Sequence, residues 1–127
     1  MGKKAIRTDA APPPAANYSQ AVRKGNILQV AGQVGIDPAT KQIAGDTVAS
    51  QTRQTFANLN AILAEAGSSL DDVLMLRVYL TDAGQFAEFN EVFAEFVSEP
   101  YAARTTVYVG LAPGLLVEID ALAVVED

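Results

Sequence analysis

The chain has 127 residues, of which 50% are hydrophobic and 19% are charged, a composition typical of one globular domain. It contains no His, Cys or Trp, which excludes a Ser-His-Asp triad, a thiolate nucleophile, a disulfide and a Cys/His zinc site. Its net charge of -6 disfavours a nucleic-acid partner, because proteins that bind the phosphate backbone normally present a basic patch.

The N-terminal segment predicts a protein that stays in the cytoplasm. Lys3 and Lys4 are basic, but no apolar run follows them, so we expect no signal peptide. No stretch approaches the roughly 18 apolar residues that a membrane span needs, so no membrane partner is expected. The chain shows no internal repeat and no linker, and we expect a single domain over residues 1–127.

Hydrophobic periodicity predicts the element order β-β-β-α-β-α-β-β. One helix begins at Asp46 or Thr47 and ends near Ala66, and a second is capped by Asp82 and ended by Pro100. Strands are expected at 4–8, 19–23, 27–30, 73–80, 103–109 and 116–125. Each helix has one apolar face, so we expect an α+β fold in which both helices cover one side of a mixed sheet of about six strands.

The predicted strand at residues 73–80 is apolar at both parities, with Arg77 as its single charge. A strand of this kind is normally covered on both faces. Two helices cover only one face, and the chain has few loop residues left to cover the other. We therefore expect a second copy of the chain to cover it, sheet against sheet, because monomers rarely expose large apolar patches.

The candidate functional residues lie in the last two predicted strands. Strand alternation places Arg104, Thr106 and Tyr108 on one face of the first, and Glu118 and Asp120 on one face of the second. If the strands share a sheet, we expect Arg104 and Glu118 to project to the same side, at the subunit interface. A buried guanidinium needs a partner, which is either Glu118 or Asp120 in a structural ion pair or the carboxylate of a small ligand. The residues alone favour the structural ion pair.

Several short motifs, in order over nearly the whole chain, resemble the YjgF/reactive intermediate deaminase (Rid) family. They are Tyr18-Ser19-Gln20-Ala21, Ala31-Gly32-Gln33, Thr52-Arg53-Gln54, Asn58-Leu59, Ala66-Gly67-Ser68-Ser69-Leu70-Asp71-Asp72-Val73, Phe89-Asn90-Glu91-Val92, Arg104-Thr105-Thr106-Val107 and Val117-Glu118-Ile119-Asp120-Ala121. The resemblance implies a homotrimer with its sheets towards the interior and ligand clefts between subunits. It also implies hydrolysis of enamine/imine intermediates of the 2-aminoacrylate/2-iminopropionate type to 2-oxo acids and ammonia, without metal or cofactor.

The resemblance assigns Arg104 to the substrate carboxylate and Glu118 to catalysis. It places the other substrate-binding positions at Tyr18 (reaching a neighbouring subunit's cleft), Ala31, Gly32, Asn90 and Thr106, the last through its backbone N–H. Ala31 stands where many members carry Ser, and the loop at 110–116 looks one residue shorter than usual. These departures indicate a side branch of the family.

Structural or non-catalytic interpretations stand beside these expectations. Tyr18 could fill an interface, and Asn90 could be an ordinary satisfied polar residue of a helix. The aromatic stripe is interpreted as core: Phe86, Phe89, Phe93 and Phe96. The chain could bind 2-oxo acids as a non-catalytic or regulatory trimer. Endoribonuclease activity ranks last, because the charge is -6 and no His is present.

Overall fold

The structure, a computed structural model, describes residues 2–126 and has the predicted element order. The strands and helices are β1 (Lys4–Ile6), β2 (Ala21–Lys24), β3 (Ile27–Val34), α1 (Val48–Glu65), β4 (Val73–Leu80), α2 (Phe86–Phe93), β5 (Ala103–Tyr108) and β6 (Val117–Val124). One six-stranded sheet runs β1-β2-β3-β6-β4-β5. It is mixed, because β4 and β5 are parallel whereas the other pairs are antiparallel. The predicted α+β architecture is confirmed.

Helix α1 begins and ends where its capping residues predict. Thr47 is the N-cap, and its side chain accepts a hydrogen bond from the Ser50 backbone N–H at 3.1 Å. Gly67 adopts a φ of 80° directly after the helix, a conformation that glycine accommodates without strain. The apolar stripe faces the sheet and is buried: Val48, Thr52, Phe56, Leu59, Ile62, Leu63 and Ala66. No helix in residues 2–126 is both long and apolar enough to span a bilayer.

Both helices pack on one face of the sheet, as predicted. Alternate residues of β6 point into this helix-covered core and are buried: Val117, Ile119, Ala121 and Ala123. From β4, Leu76, Val78 and Leu80 enter the same core. The parity of these strands therefore follows the predicted alternation.

Two elements, α2 and β3, differ most from their predicted bounds, whereas the other strands differ by at most two residues at either end. Asp82 caps a 3₁₀ turn by accepting a hydrogen bond from the Gly84 N–H, and α2 starts only after that turn and ends at Phe93. Such tight turns are common at helix N-termini, and the sequence pattern does not distinguish them from α-helix. Strand β3 continues to Val34 instead of ending at Val30, because a β-bulge at residues 31–32 lets it keep pairing with β6.

The sheet face away from the helices, called here the outer face, is not covered by residues 2–126. Leu74 is 56% exposed at an irregularity in β4, and Ile27 of β3 and Val107 of β5 are also exposed. We expected both faces of β4 to be covered. Within residues 2–126, only the face towards the helices is covered. These exposed apolar side chains lie beside polar ones of the same face, among them Arg77, Tyr79 and Asp120, so the outer face is partly apolar and partly polar.

Candidate functional site

Arg104 lies on β5, the edge strand, directly opposite Leu76 of β4 on the helix-covered side of the sheet. Its guanidinium carbon stands over α2, at 4.8 Å from the ring centroid of Phe93, 5.7 Å from that of Phe86 and 5.9 Å from that of Phe89. Aromatic faces attract a cation within about 6 Å. The helix therefore brings three aromatic rings within reach of the guanidinium of Arg104, a residue that is exposed in the single chain.

Asn90 fixes the guanidinium along one edge. Arg104 Nη1 donates a hydrogen bond to Asn90 Oδ1 at 2.9 Å. No carboxylate within residues 2–126 forms an ion pair with Arg104, and Asp120 pairs instead with Arg77, at 2.7 Å from Nε to Oδ1. The predicted structural ion pair of Arg104 with Glu118 or Asp120 is therefore wrong. The Nε–H and Nη2–H donors of Arg104 make no hydrogen bond to the described chain and remain free for an external carboxylate.

A pocket of about 380 Å³ opens beside Arg104 between α2 and the start of β5. It is lined by Leu76, Asn90, Phe93, Ala94, Val97, Tyr101, Ala102 and Arg104. A mostly apolar wall with a few polar groups that meet is typical of small-molecule sites. Asn90 and Arg104, which the resemblance gives as two substrate-binding positions, therefore line one pocket and are bonded to each other.

Thr106 follows Arg104 by two residues and shares its side of the sheet, opposite Val78. Its hydroxyl oxygen is buried and has no hydrogen-bond partner in the described part of the chain. Buried hydroxyls are normally satisfied, so an unpaired one two residues from Arg104 leaves a donor and acceptor for a partner from outside the chain. We call Arg104, Asn90 and Thr106 the arginine group.

Glu118 does not lie on the side of Arg104, so that prediction is wrong. Leu76 pairs with Arg104 on one flank and with Ala121 on the other, both towards the helices. Glu118 pairs with Tyr79, whose side chain belongs to the outer face. Strand β4 lies between β5 and β6. Its register with each of them decides whether a given side chain of β5 and one of β6 lie on the same face of the sheet. Alternation within each strand does not decide this.

Glu118 is half-buried on the outer face and touches Gly32 in the β3 bulge. A Cβ added to Gly32 would lie 2.9 Å from Glu118 Cδ and 3.1 Å from its Cγ, so a side chain at this position would displace the Glu118 carboxyl. Burial raises the pKa of the Glu118 carboxyl, and the negative charge of Asp120 raises it further. No hydrogen bond or ion pair to Glu118 forms within residues 2–126. Such a carboxyl is suited to accept and return a proton.

Tyr18 and Ala31 lie close to each other, beside the bulge in which Gly32 meets Glu118. They line a common hollow of about 360 Å³ together with Gln29 of the outer face, and Ala31 immediately precedes Gly32 in the bulge. The Tyr18 ring is 53% exposed, and its hydroxyl accepts a hydrogen bond from the Ala15 N–H at 3.1 Å. We call Glu118, Gly32, Ala31 and Tyr18 the glutamate group. The predicted site residues thus divide into two groups, and one chain does not unite them.

The aromatic contacts of Arg104 were missed by sequence reasoning, which interpreted the phenylalanine stripe as core alone. Phe89 is fully buried, but Phe86 and Phe93 are partly exposed and present their rings to the guanidinium. Their spacing of three and seven residues on α2 is the available signal, since it puts all three rings on one helix face. Within residues 2–126, no cluster of His, Cys, Asp or Glu is arranged to hold a metal ion.

Comparison with known proteins places this chain in one family. The sequence model of the family described as Endoribonuclease L-PSP matches residues 8–125. A RutC family protein of Pyrococcus horikoshii is 47% identical over 122 residues, which are 95% of this chain and 97% of that protein. The crystal structure of RidA from an Antarctic Psychrobacter species matches with a TM-score of 0.92 at 43% identity, covering 96% of this chain and 99% of that chain.

A further relative, from Dermatophagoides farinae, carries the name 2-iminobutanoate/2-iminopropanoate deaminase. It is 33% identical over 125 residues, which are 98% of each chain. Together these matches span nearly the full length of the chain at identities well above chance. The chain therefore belongs to the YjgF/Rid family, as the motif resemblance indicated.

Proposed function

We propose that the chain hydrolyses reactive 2-imino acids and their enamine tautomers, of the 2-aminoacrylate/2-iminopropionate type, to 2-oxo acids and ammonia. The observation that carries this proposal is the guanidinium of Arg104, backed by three aromatic rings, fixed by Asn90 and free of any acidic partner within residues 2–126. A planar fork of donors in that state suits the carboxylate of a small acid. The relative named 2-iminobutanoate/2-iminopropanoate deaminase supports the choice of acid.

Two copies of the chain complete the proposed site. The arginine group and the glutamate group occupy opposite faces of one sheet, so a ligand on Arg104 does not reach Glu118 of the same chain. Head-to-tail packing of copies in a closed ring brings one face of each chain against the opposite face of the next. We infer a trimer, as the resemblance implies, with the exposed apolar residues Leu74 and Val107 of the outer face in its interior.

The reaction requires that the substrate is held in a fixed orientation and that one side chain transfers protons. Arg104 of one copy holds the carboxylate of the imine, and Glu118 of the next takes a proton from a water molecule. The resulting hydroxide oxygen bonds to the imine carbon, the C=N π electrons move to nitrogen, and Glu118 returns the proton to that nitrogen, which gives a carbinolamine. Glu118 then takes the hydroxyl proton as the carbonyl forms and the C–N bond breaks, and it passes this proton to the departing nitrogen, which leaves as ammonia. Orientation of the reactants contributes several kcal/mol, and proton transfer contributes about 10²–10⁴-fold.

The raised pKa of Glu118 suits this relay. A carboxyl with an ordinary pKa is a weak base and is almost never protonated near neutral pH. Burial and the neighbouring Asp120 disfavour the charged form of Glu118, which strengthens it as a base and increases the protonated fraction. The same residue can then accept a proton early in the reaction and donate it later.

The test generates 2-aminoacrylate in situ with a pyridoxal-phosphate lyase and measures release of the 2-oxo acid. We expect the protein to accelerate release and Arg104→Ala to lose about 100-fold or more, since the bound orientation is lost. Arg104→Lys keeps the charge but not the fork, so it should restore little. The matched control is Arg53→Ala, which removes an arginine that pairs with Glu95 on the surface. Equal rates with and without the protein would overturn the proposal.

The same variants distinguish catalysis from binding alone. If the protein gives no acceleration but binds 2-oxo acids with an affinity that Arg104→Ala abolishes, the chain is a binding or regulatory protein. Release of 2-oxo acid that depends on both Arg104 and Glu118 would instead exclude a purely regulatory role.

A further inference from the structure

The pocket beside Arg104 keeps its polar and apolar surfaces apart. Its polar groups, Arg104 and Asn90, are bonded to each other, and of the eight lining residues only Arg104 carries a charge. The remaining wall is hydrocarbon and aromatic ring apart from the hydroxyl of Tyr101: Leu76, Phe93, Ala94, Val97, Tyr101 and Ala102. A carboxylate on Arg104 would therefore stand at the edge of an apolar surface that the bonded pair does not use.

The volume of this pocket, about 380 Å³, leaves room beyond the carboxylate. It lies within the range of roughly 300–1,000 Å³ that holds whole small-molecule ligands. Hydrocarbon placed against such a wall gains free energy on leaving water, whereas a polar or charged group loses its hydration without a partner. The chemistry of the wall therefore favours one kind of substituent next to the carboxylate.

We propose that this pocket receives the side chain of the substrate and selects apolar side chains of leucine or phenylalanine size. The inference rests on the proposed function and names its substrate class: 2-imino acids derived from branched-chain or aromatic amino acids. Phe93 then serves two ends, since its ring holds the Arg104 guanidinium and also lines the apolar wall. The three-carbon imine that the resemblance suggests would leave most of the pocket empty.

The expected selectivity follows from the area buried. Each additional buried methylene changes an affinity by about fourfold. A leucine-type side chain has three more carbons than an alanine-type one, which gives about sixtyfold for complete burial. The pocket is open to solvent on one side, so we expect about tenfold or more between the two ligands.

The test measures binding of two product 2-oxo acids, pyruvate and 4-methyl-2-oxopentanoate, by calorimetry. Hydrolysis of the two corresponding imines, made in situ by an amino acid oxidase, is followed in parallel. Ala94→Leu fills the pocket from its wall. Ala87→Leu is the matched control, because Ala87 is an exposed residue of α2 that does not line the pocket.

We expect wild type and Ala87→Leu to bind 4-methyl-2-oxopentanoate about tenfold tighter than pyruvate, and Ala94→Leu to lose that preference. Equal affinities in wild type, a preference for pyruvate, or an equal loss in both leucine variants would overturn the pocket. Selective binding without any imine hydrolysis would leave the pocket standing and remove the proposed function. Hydrolysis of both imines at equal efficiency would support the proposed function and would overturn the selectivity of the pocket.

Discussion

Adding one methyl group to Gly32 should disable the site while leaving the fold intact. In Gly32→Ala the new Cβ would lie 2.9 Å from Glu118 Cδ and 3.1 Å from Cγ, where ordinary contacts begin at 3.4 Å. The Glu118 carboxylate therefore has to move by about 1 Å, and a displacement of this size costs about 100-fold in rate. We expect that loss in kcat, with a smaller change in KM, because Arg104 still binds the substrate.

The assay compares 2-oxo acid release and urea unfolding for wild type, Gly32→Ala and Gly110→Ala. Gly110 is the matched control, since a Cβ added there meets nothing within 4 Å. Neither variant should change the free energy of unfolding by more than about 1 kcal/mol, because the group displaced at Gly32 is the far end of a flexible side chain. A wild-type kcat in Gly32→Ala would show that the position of the Glu118 carboxyl does not set the rate. A loss of activity that merely follows a loss of stability would contradict the prediction as well.

Two further predictions concern stability. Because burial raises the pKa of Glu118 above its ordinary value of 4.5, the folded state binds the proton more tightly than the unfolded state. The stability of wild type relative to Glu118→Gln should therefore fall as pH rises from about 4 through the raised pKa and then level off; urea melts that show a constant difference would contradict this. Gln51 is fully buried and makes three hydrogen bonds, from Nε2 to Gly45 O and Gly114 O and to Oε1 from the Leu116 N–H. Gln51→Ala should lose about 3 kcal/mol of unfolding free energy and the exposed Gln42→Ala under about 0.5, and equal losses would show that these bonds do not matter.

The element order and the buried faces could be predicted because each depends on local pattern. The stripe of α1, from Val48 to Ala66, repeats at helical spacing, and Thr47 and Gly67 cap it as expected. In β6, alternation alone identified Val117 and Ile119 as core residues. These features need no knowledge of which strand lies beside which.

The relation between Arg104 and Glu118 could not be predicted in the same way. It depends on the register of β5 on β4 and of β6 on β4, and a shift of one residue in either reverses the side. The sequence of β4 is apolar at both parities, so it gives no preference for one register over the other. The bulge that accommodates Gly32 had a visible signal, a glycine within a strand pattern, but its contact with Glu118 is set by the pairing of β3 with β6.

We propose that each site joins Arg104 of one chain to Glu118 of another. Subunit complementation is the most direct test of this shared site. Arg104→Ala and Glu118→Gln are each expected to be inactive, and the two variants are then refolded together in equal amounts. In a randomly assembled head-to-tail trimer, about a quarter of all sites in the mixture combine an intact arginine with an intact glutamate, so about a quarter of wild-type activity should return. If both residues act within one chain, no mixed site is complete, and the mixture would stay as inactive as its parts.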